Sequence, residues 1–386
     1  MALIHRRLSE TVRAVLPFFP VITITGPRQS GKTTLCKNLF SDLPYYNLEN
    51  PETLYFIIAD PKAFLEALPD GAIIDEAHHF PQLFSYLQVI VDENPAKRFI
   101  VTGSSNFSLL QNITQSLAGR TAVLTLLPLS LKEIGGKIGD ISTDTLILNG
   151  GYPHIWANEG YPRMMFYKNY YGSYVERDVR RIENVKDLLL FRKYITLCAG
   201  RIGSEFIASN ISNEVGVAVS TIINWMSILA ASYIAYQLPP YFANVNKRLV
   251  KTPKLYFYDV GLACYLLGIE NEEQLSTHPL RGNLFENLVV NEALKERLNE
   301  GKDPNLYFFK DKSQREVDLV HTHGQELHAY EIKSAQTYTP SFYNNIDYFK
   351  KLFGDRVTRT GVIYDGKLTR LTEEKSAHNF RDFHLE

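Results

Sequence analysis

Residues 21–35, which read VITITGPRQSGKTTL, decide how the N-terminal part of the chain folds. The β-branched run Val21–Thr25 is typical of a buried strand. Residues 26–33 match the pattern G-x-x-x-x-G-K-S/T, and a helical run begins at Thr34. This order predicts a phosphate-binding loop, because glycines let backbone N–H groups converge on phosphate oxygens and a helix N-terminus favours negative charge.

Each residue of the predicted loop has an expected role. We expect Lys32 to hold the β- and γ-phosphates of ATP and the Thr33 hydroxyl to bind Mg²⁺. The other expected nucleotide contacts are Gly26, Pro27, Arg28, Gln29, Ser30, Gly31 and Thr34. The alternative explanation is a glycine turn that enters an ordinary helix.

A second apolar run, residues 72–74, ends in two acids. We expect Asp75 to bind Mg²⁺ through its hydration shell and Glu76 to polarise the attacking water. An acid pair in a turn at a strand end is the alternative. The acids follow a phosphate loop in the same predicted domain, which favours the catalytic interpretation.

A third strand is predicted over residues 98–106, and it also ends in polar side chains. Ser104, Ser105 or Asn106 could reach the γ-phosphate or the attacking water. In open α/β sheets, ligands lie beyond the carboxyl ends of the strands. Three strands with intervening helices therefore predict the α/β class with a doubly wound parallel sheet.

These segments resemble the AAA+ ATPase domain of a prokaryotic family that joins such a domain to a C-terminal region of unclear function. Further matching stretches extend the resemblance over nearly the whole chain: residues 116–120, 127–130, 150–153 and 174–179. The resemblance implies Walker B roles for Asp75 and Glu76. It implies a sensor role for residues 104–106.

Two arginines are candidates for charge stabilisation. Arg120 resembles a family position just after the sensor strand, where a guanidinium would stabilise charge on the γ-phosphate in cis or from a neighbouring subunit. A salt bridge at a helix end is an equally good explanation. Arg177 is weaker, because its sequence neighbours are Glu176 and Asp178.

Composition and length bound the remaining possibilities. A chain of 386 residues is expected to hold two or three domains, and we predict boundaries that give residues 1–180, 181–268 and 269–386. A net charge of −1 excludes general electrostatic attraction to nucleic acid, so any such contact must be local. Three dispersed cysteines and the lack of a long apolar run predict a cytoplasmic protein without a membrane partner.

The middle region has the element order of a winged helix. Helices are predicted over residues 188–199, 211–215 and 219–231, followed by strands that flank a loop. The loop contains Asn244, Asn246, Lys247, Arg248 and Lys251. The functional interpretation is DNA contact, but the second helix of the motif has no Lys or Arg, and phosphate attraction dominates affinity. Packing against the ATPase domain or a partner protein is the alternative.

The C-terminal region resembles the PD-(D/E)xK nuclease fold. A buried helix over 283–298 precedes strands at 306–309, 316–320 and 327–333. If the last hairpin closes tightly at residues 323–324, Glu316 lies opposite Glu331 and Asp318 lies diagonally to it. Buried like charges suggest a divalent metal between them. Such a site would use the acidic side chains and the lysine of these strands.

The resemblance implies that Asp318 and Glu331 are metal ligands and that Lys333 orients or deprotonates water. It also implies a helix glutamate, Glu286, for which helical periodicity leaves Glu292 as a rival. Metal-assisted phosphodiester cleavage needs such a cluster. A fold that has lost cleavage, or a surface charge pattern, is the alternative.

The working hypothesis is an ATPase that hydrolyses ATP with Mg²⁺ and changes conformation on a partner, expected to be nucleic acid. One alternative is a Mg²⁺-dependent DNA nuclease with a regulatory ATP site. Another is a nucleotide-dependent switch that binds a protein partner, or a second copy of the chain, without nucleic acid.

Overall fold

A computed structural model describes residues 3–103, 116–136, 138–174, 187–241, 251–367 and 375–385. The chain divides into two compact units. The first comprises Met1–Leu129, Ala231–Tyr233 and Arg297–Lys302, and the second comprises Ser130–Ala230, Ile234–Glu296 and Asp303–Glu386. The three-domain division predicted above stays a prediction.

The first unit is built on a five-stranded sheet. Its helices and strands are α1 Leu8–Val15, β1 Val21–Thr25, α2 Lys32–Leu39, β2 Tyr45–Asn47, α3 Pro51–Ala59, α4 Pro61–Glu66, β3 Gly71–Asp75, α5 Leu83–Glu93, β4 Arg98–Gly103 and β5 Thr121–Thr125. The strand order is β2-β3-β4-β1-β5, and every pairing is parallel. The predicted α/β class with a parallel sheet is confirmed.

The two faces of this sheet carry alternate side chains of the same strands. Val21 and Phe99 face one core with α5, and Ile22 and Ile100 face another with α1 and α2. Because both faces are covered, β1 and β3 are buried at every position and are rich in apolar residues. Strand β5 was not predicted, because this edge strand is only partly buried and its apolar run is short.

The second unit contains two further sheets. Its helices and strands are α6 Leu131–Ile134, α7 Thr143–Asn149, α8 Pro153–Ala157, α9 Arg163–Tyr170, α10 Leu188–Ala199, α11 Ala208–Val215, α12 Val219–Ala231, β6 Ala235–Leu238, β7 Lys254–Phe257, α13 Val260–Leu266, α14 Glu272–Thr277, α15 Arg281–Asn299, β8 Leu306–Lys310, β9 Glu316–His323, β10 Glu326–Lys333, α16 Asn344–Phe353, β11 Val357–Tyr364 and β12 Ala377–Asn379. Strands β6 and β7 form an antiparallel pair.

The larger sheet of this unit has the order β12-β11-β10-β9-β8. Strands β8, β9 and β10 are antiparallel, whereas β10, β11 and β12 are parallel. The element order α10, α11, α12, β6, β7 is the one that the winged-helix prediction requires. The winged-helix and nuclease-like assignments stay predictions.

Two short helices lie in polar stretches whose composition is typical of loops. Helix α14 begins after Asn271, whose side chain accepts from the Gln274 N–H at 2.9 Å. Helix α7 begins after Ser142, whose hydroxyl accepts from the Thr145 N–H at 3.0 Å. In both places a polar run contains the N-cap of a short helix.

Strand β12 lies in the C-terminal segment, which is mostly polar in sequence. It adds three residues to the edge of the larger sheet, and Ala377 pairs with Val362 of β11. Three residues with one apolar side chain are too few for the alternation that predicts a strand.

Among the described residues, no single helix has both the length and the apolar composition needed to cross a membrane. The bent pair α11 and α12, whose axes meet at 105°, satisfies the same criteria by length and composition alone.

Candidate functional site

The phosphate-loop sequence lies between β1 and α2, as predicted. Gly26 has φ 140° and Gly31 has φ 95°, which are conformations that side-chain-bearing residues rarely adopt. A Cβ atom at Gly26 would overlap the carbonyl oxygen of Leu126. The turn therefore needs glycine for two reasons, the backbone angle and the space beside it.

Lys32 is buried at the first position of α2 and points back into the loop. Its Nζ donates to the carbonyl oxygens of Gly26 and Pro27, both at 2.9 Å. Burial lowers the pKa of Lys32, and the nearby carboxylates of Glu76 and Asp75 partly oppose that shift. The ammonium is thus held by neutral acceptors, which a phosphate oxygen could replace.

Asp75 is buried at the end of β3 and accepts hydrogen bonds on both carboxylate oxygens. Its Oδ2 accepts from the Thr33 hydroxyl and from the Tyr45 hydroxyl, each at 2.7 Å. Its Oδ1 accepts from the hydroxyl of Thr102 and, at 3.2 Å, from the N–H of Glu76. The structure therefore brings together the hydroxyl and the carboxylate that the sequence predicts as Mg²⁺ ligands.

Glu76 follows Asp75 in a left-handed conformation with φ 55°, which is uncommon for a residue other than glycine. Its Oε2 lies 3.1 Å from Nδ1 of His78. Burial opposes ionisation of Glu76, but the His78 hydrogen bond and the charges of Lys32 and Arg28 outweigh it and lower the pKa of Glu76 to about 2. The side chain is a carboxylate at neutral pH, suited to orienting and polarising a water molecule.

The other residues of the phosphate loop differ in their exposure and in their hydrogen-bond partners. Arg28 donates from its guanidinium to Oε1 of Glu49 at 2.8 Å. Ser30 is fully buried, whereas Gln29 and Thr34 are exposed. Pro27 contributes its carbonyl oxygen, which accepts a hydrogen bond from Lys32 Nζ.

Several predicted site residues lie outside the described residues. These are Ser104, Ser105 and Asn106 of the predicted sensor segment, Arg177, and the loop residues Asn244, Asn246, Lys247 and Arg248. The described part of this strand ends at Gly103, and the hydroxyl of Thr102, one residue earlier, donates to Asp75.

Arg120 lies at the amino end of the parallel strands, whereas the phosphate loop lies at their carboxyl end. Its carbonyl oxygen accepts from the Val21 N–H, which marks the amino end of β1. Five residues of parallel strand separate that end from the loop, about 16 Å. Arg120 instead pairs through two nitrogens with Asp92, at 2.5 and 2.8 Å. This placement disfavours the cis role considered for Arg120, and its role in charge stabilisation, in cis or across subunits, stays a prediction.

Three residues that support the site were missed by sequence reasoning. Arg6, which precedes α1, is buried and donates to the carbonyl oxygens of Ser30 at 2.5 Å and Leu127 at 2.6 Å. Tyr45 and Thr102 both bond to Asp75. Tyr45 has a signal in the sequence, because it begins an aromatic pair, Tyr45-Tyr46, and aromatic residues favour strands.

The second predicted site, in the larger sheet of the second unit, has a different register from the expected one. The turn closes around Gly324, with φ 61°, one residue later than closure at His323-Gly324 requires. The expectation that Glu316 faces Glu331 is therefore wrong. Asp318 lies beside Glu331 instead of diagonally to it, because the whole ladder is shifted by this turn.

Lys333 bridges the two carboxyl groups that were predicted as metal ligands. Its Nζ lies 3.1 Å from Oδ2 of Asp318 and 2.6 Å from Oε2 of Glu331. Burial and the neighbouring Asp318 raise the pKa of Glu331 to about 9. Burial opposes ionisation of Asp318 too, but Lys333 and the other hydrogen-bond donors lower its pKa to about 2. Burial and mutual repulsion thus act in opposite directions from Lys333 on this pair.

The structure separates the two candidates for the helix glutamate. Glu286 faces the cluster and accepts from Lys254 Nζ at 2.9 Å and from the Tyr256 hydroxyl at 2.5 Å. Glu292 accepts from the Leu131 N–H at 2.7 Å and therefore caps α6. Among the described residues, no group of three or more His, Cys, Asp or Glu side chains is arranged to hold a metal ion, so a second divalent metal is not supported.

Comparisons with known proteins agree with this architecture. A family model described as an AAA domain matches residues 19–135. Two domains of unknown function, DUF8612 and DUF4143, match residues 140–273 and 281–381. The uncharacterised protein Rv2008c of Mycobacterium tuberculosis is 31% identical over 372 residues, which cover 95% of this chain and 81% of that protein. The chain belongs to this prokaryotic family of AAA ATPases.

Other relatives of this AAA-family protein are more distant. The uncharacterised protein MJ1544 of Methanocaldococcus jannaschii is 24% identical over 336 residues, which cover 79% of this chain and 73% of that protein. A solved Walker-type ATPase of Pyrococcus abyssi has 12% identity and a TM-score of 0.47, over 68% of this chain and 96% of that one. The resemblance inferred from the sequence motifs is confirmed, and so is the nucleotide-binding class of the first unit.

Proposed function

We propose that this AAA-family protein hydrolyses ATP at the carboxyl edge of the five-stranded sheet. The observation that carries the proposal is the contact of 2.7 Å between the Thr33 hydroxyl and Asp75, next to a loop that already holds Lys32. A hydroxyl and a buried carboxylate are hard oxygen donors of the kind that Mg²⁺ prefers. The donor set therefore fits the Mg²⁺ of a bound nucleotide.

Different side chains of the site would bind the phosphates and the Mg²⁺ of the nucleotide. Lys32 would exchange the carbonyl oxygens of Gly26 and Pro27 for oxygens of the β- and γ-phosphates. Thr33 and Asp75 would hold Mg²⁺, which when bound neutralises charge on the phosphates. Tyr45 and Thr102 keep the Asp75 carboxylate oriented through their hydroxyls.

Glu76 would orient the water that attacks the γ-phosphorus. As the new P–O bond forms, the bond to the β-phosphate oxygen breaks, and the water proton passes to Glu76 or to the released phosphate. The left-handed backbone and the contact with His78 set the position of the carboxylate before nucleotide arrives. Preorganisation of this kind lowers the barrier without a further rearrangement.

The test is Glu76→Gln in the full chain, with Glu52→Gln as the matched control. Glu52 is exposed on α3 of the same unit. We expect ATP turnover to fall by about 10²-fold or more in Glu76→Gln, with fluorescent-nucleotide binding retained, because only the charge of the base is lost. Normal phosphate release in that variant would show that Glu76 is not the base.

We also propose that hydrolysis acts on a nucleic-acid partner through the second unit. The exposed face of α12 contains Ser220, Ile223, Asn224 and Ser227 and has no basic residue. Phosphate contacts must therefore come from the basic segment that contains Lys247, Arg248 and Lys251.

The ATPase rate with and without DNA tests this partner. We expect DNA to stimulate the rate, and we expect the affinity to fall with salt on a log–log slope of about −2 to −3, since three basic residues release about that many counterions. Replacement of Lys247, Arg248 and Lys251 by Gln should remove the stimulation. An ATPase rate that is indifferent to DNA, together with a captured protein partner, would favour the switch hypothesis.

A further inference from the structure

The acidic cluster of the second unit already contains two lysine ammonium groups. One is Lys333, between Asp318 and Glu331. The other is Lys254, from the first residue of β7, which reaches carboxylates on a helix and on a strand of the larger sheet. Sequence reasoning assigned Lys254 only to the middle region, far from the carboxylates.

Lys254 has the surroundings of a resident cation. Its Nζ lies 2.9 Å from Oε1 of Glu286 and also contacts Glu316. The ring of Phe308 lies on another side, with its centroid 5.5 Å from Nζ. The side chain is almost fully buried; burial lowers the pKa of Lys254, but the charges of Glu286 and the other nearby carboxylates outweigh it and raise that pKa. The ammonium is therefore charged in the folded protein.

The charges of the cluster are balanced by groups of the chain itself. Lys310 adds a third ammonium at its outer edge, 3.2 Å from Glu316 and 2.9 Å from Glu205. A divalent ion entering this region would have to displace Lys254 from Glu286 and Glu316, or Lys333 from Asp318 and Glu331.

We propose that the Lys254 ammonium occupies the cation position of this carboxylate cluster, so that the second unit excludes divalent metal and does not cleave phosphodiesters by metal-assisted chemistry. The carboxylates that resemble a nuclease site are instead cross-linked by lysines from two different sheets. The cluster joins β7 to α15 and β9. Its role is to hold these elements together.

The test measures binding of Mn²⁺ alone to the full, nucleotide-free chain by the loss of the electron paramagnetic resonance signal of free Mn²⁺. The wild type is compared with Asp318→Asn, so that any Mn²⁺ bound near the phosphate loop cancels. We expect identical binding curves. A Mn²⁺ equivalent that is present in the wild type and absent in Asp318→Asn would overturn the proposal.

A gain-of-binding variant sharpens the result. Lys254→Met removes the ammonium and keeps the chain length, Lys254→Arg keeps the charge, and exposed Lys312→Met controls for the loss of one positive charge. We expect Lys254→Met to gain one Mn²⁺ equivalent that Asp318→Asn removes, and we expect neither control to gain it. A folded Lys254→Met chain that binds no more Mn²⁺ than wild type would overturn the proposal. If Lys254→Met does not fold, the comparison of wild type with Asp318→Asn decides.

Discussion

The two units each bury a lysine near carboxylates, but the immediate partners of the two ammonium groups differ. Lys32 in the first unit donates to two neutral carbonyl oxygens of its own loop. Lys254 in the second unit contacts two carboxylates. Burial is the largest influence on the pKa of both, yet the pKa of Lys32 is lowered whereas that of Lys254 is raised.

This difference separates a lysine that can accept a ligand from one that cannot. A charged phosphate oxygen forms a stronger hydrogen bond with the Lys32 ammonium than a neutral carbonyl oxygen does. Exchange of the two carbonyls for phosphate oxygens is therefore favourable. A ligand offered to Lys254 must compete with charges that are already paired and desolvated. Identical side chains at similar burial thus have opposite functional meanings, and the predictions below test the contrast.

The largest effect is expected at Lys254. Lys254→Met leaves Glu286 and Glu316 buried without their cation, so we expect the free energy of unfolding of the second unit to fall by about 3–5 kcal/mol. Urea denaturation followed by far-ultraviolet circular dichroism measures this. Lys32→Met is the matched control, and we expect it to leave stability unchanged or slightly higher because, within the described part of the chain, the acceptors of its ammonium are two neutral carbonyl oxygens. Equal losses in both variants would remove the contrast.

The second-largest effect is expected on nucleotide binding. Here the Lys32 variant should lose affinity, and a Lys254 variant is the control. Lys32→Met removes a charge-assisted contact to the phosphates, so we expect ATP affinity to weaken by about 10–10²-fold. Lys254→Arg, which preserves charge and fold, should bind ATP like the wild type. Fluorescence anisotropy of a labelled ATP analogue gives both values, and unimpaired binding by Lys32→Met would contradict the phosphate role of Lys32.

The third effect is a pH dependence of stability that arises in the second unit. The pKa of Glu331 is raised to about 9 by burial and by Asp318, from about 4.3 in an unfolded chain. Between those values the folded state binds more protons, so this group's contribution to stability is present at low pH and is lost as pH rises from about 5 to about 9. We expect Glu331→Gln, which cannot titrate, to show a flatter dependence over that range.

Glu76 supplies the control for this pH experiment. Its pKa of about 2 means that it stays ionised above pH 5 and adds no slope there. Urea midpoints at pH 5, 7 and 9 for Glu76→Gln should therefore follow the wild type. The same slope in Glu331→Gln and wild type would show that Glu331 is ionised throughout.

The smallest effect is expected at Arg120. Its guanidinium pairs with Asp92 at the surface, at the end of the sheet remote from Lys32. We expect Arg120→Ala to change ATP turnover by less than about twofold, since exposed ion pairs contribute little to stability. A loss of tenfold or more that depends on protein concentration would instead establish an arginine acting from a neighbouring copy.

Local patterns were sufficient where one short stretch contains the whole signal. The phosphate loop, the Asp75–Glu76 strand end and helices α10 and α12 were predicted with their positions. Edge strands β5 and β12 were missed, because partly buried or very short strands lack the apolar run that identifies a strand. Capped helices α7 and α14 were missed because short polar helices resemble loops.

The sequence alone determined the chemistry of the first site, because a phosphate loop depends on backbone angles and donors supplied within a few consecutive residues. Only the tertiary structure decided what surrounds a side chain from distant segments. Arg6 meets the loop across 24 residues of chain, and Lys254 meets Glu316 across 62, the difference of their numbers. Charge balance in a buried cluster is a sum over such distant partners. The sequence of β9, which has Glu316 and Asp318 at alternate positions, therefore cannot reveal whether the cation beside these carboxylates is a metal or a lysine.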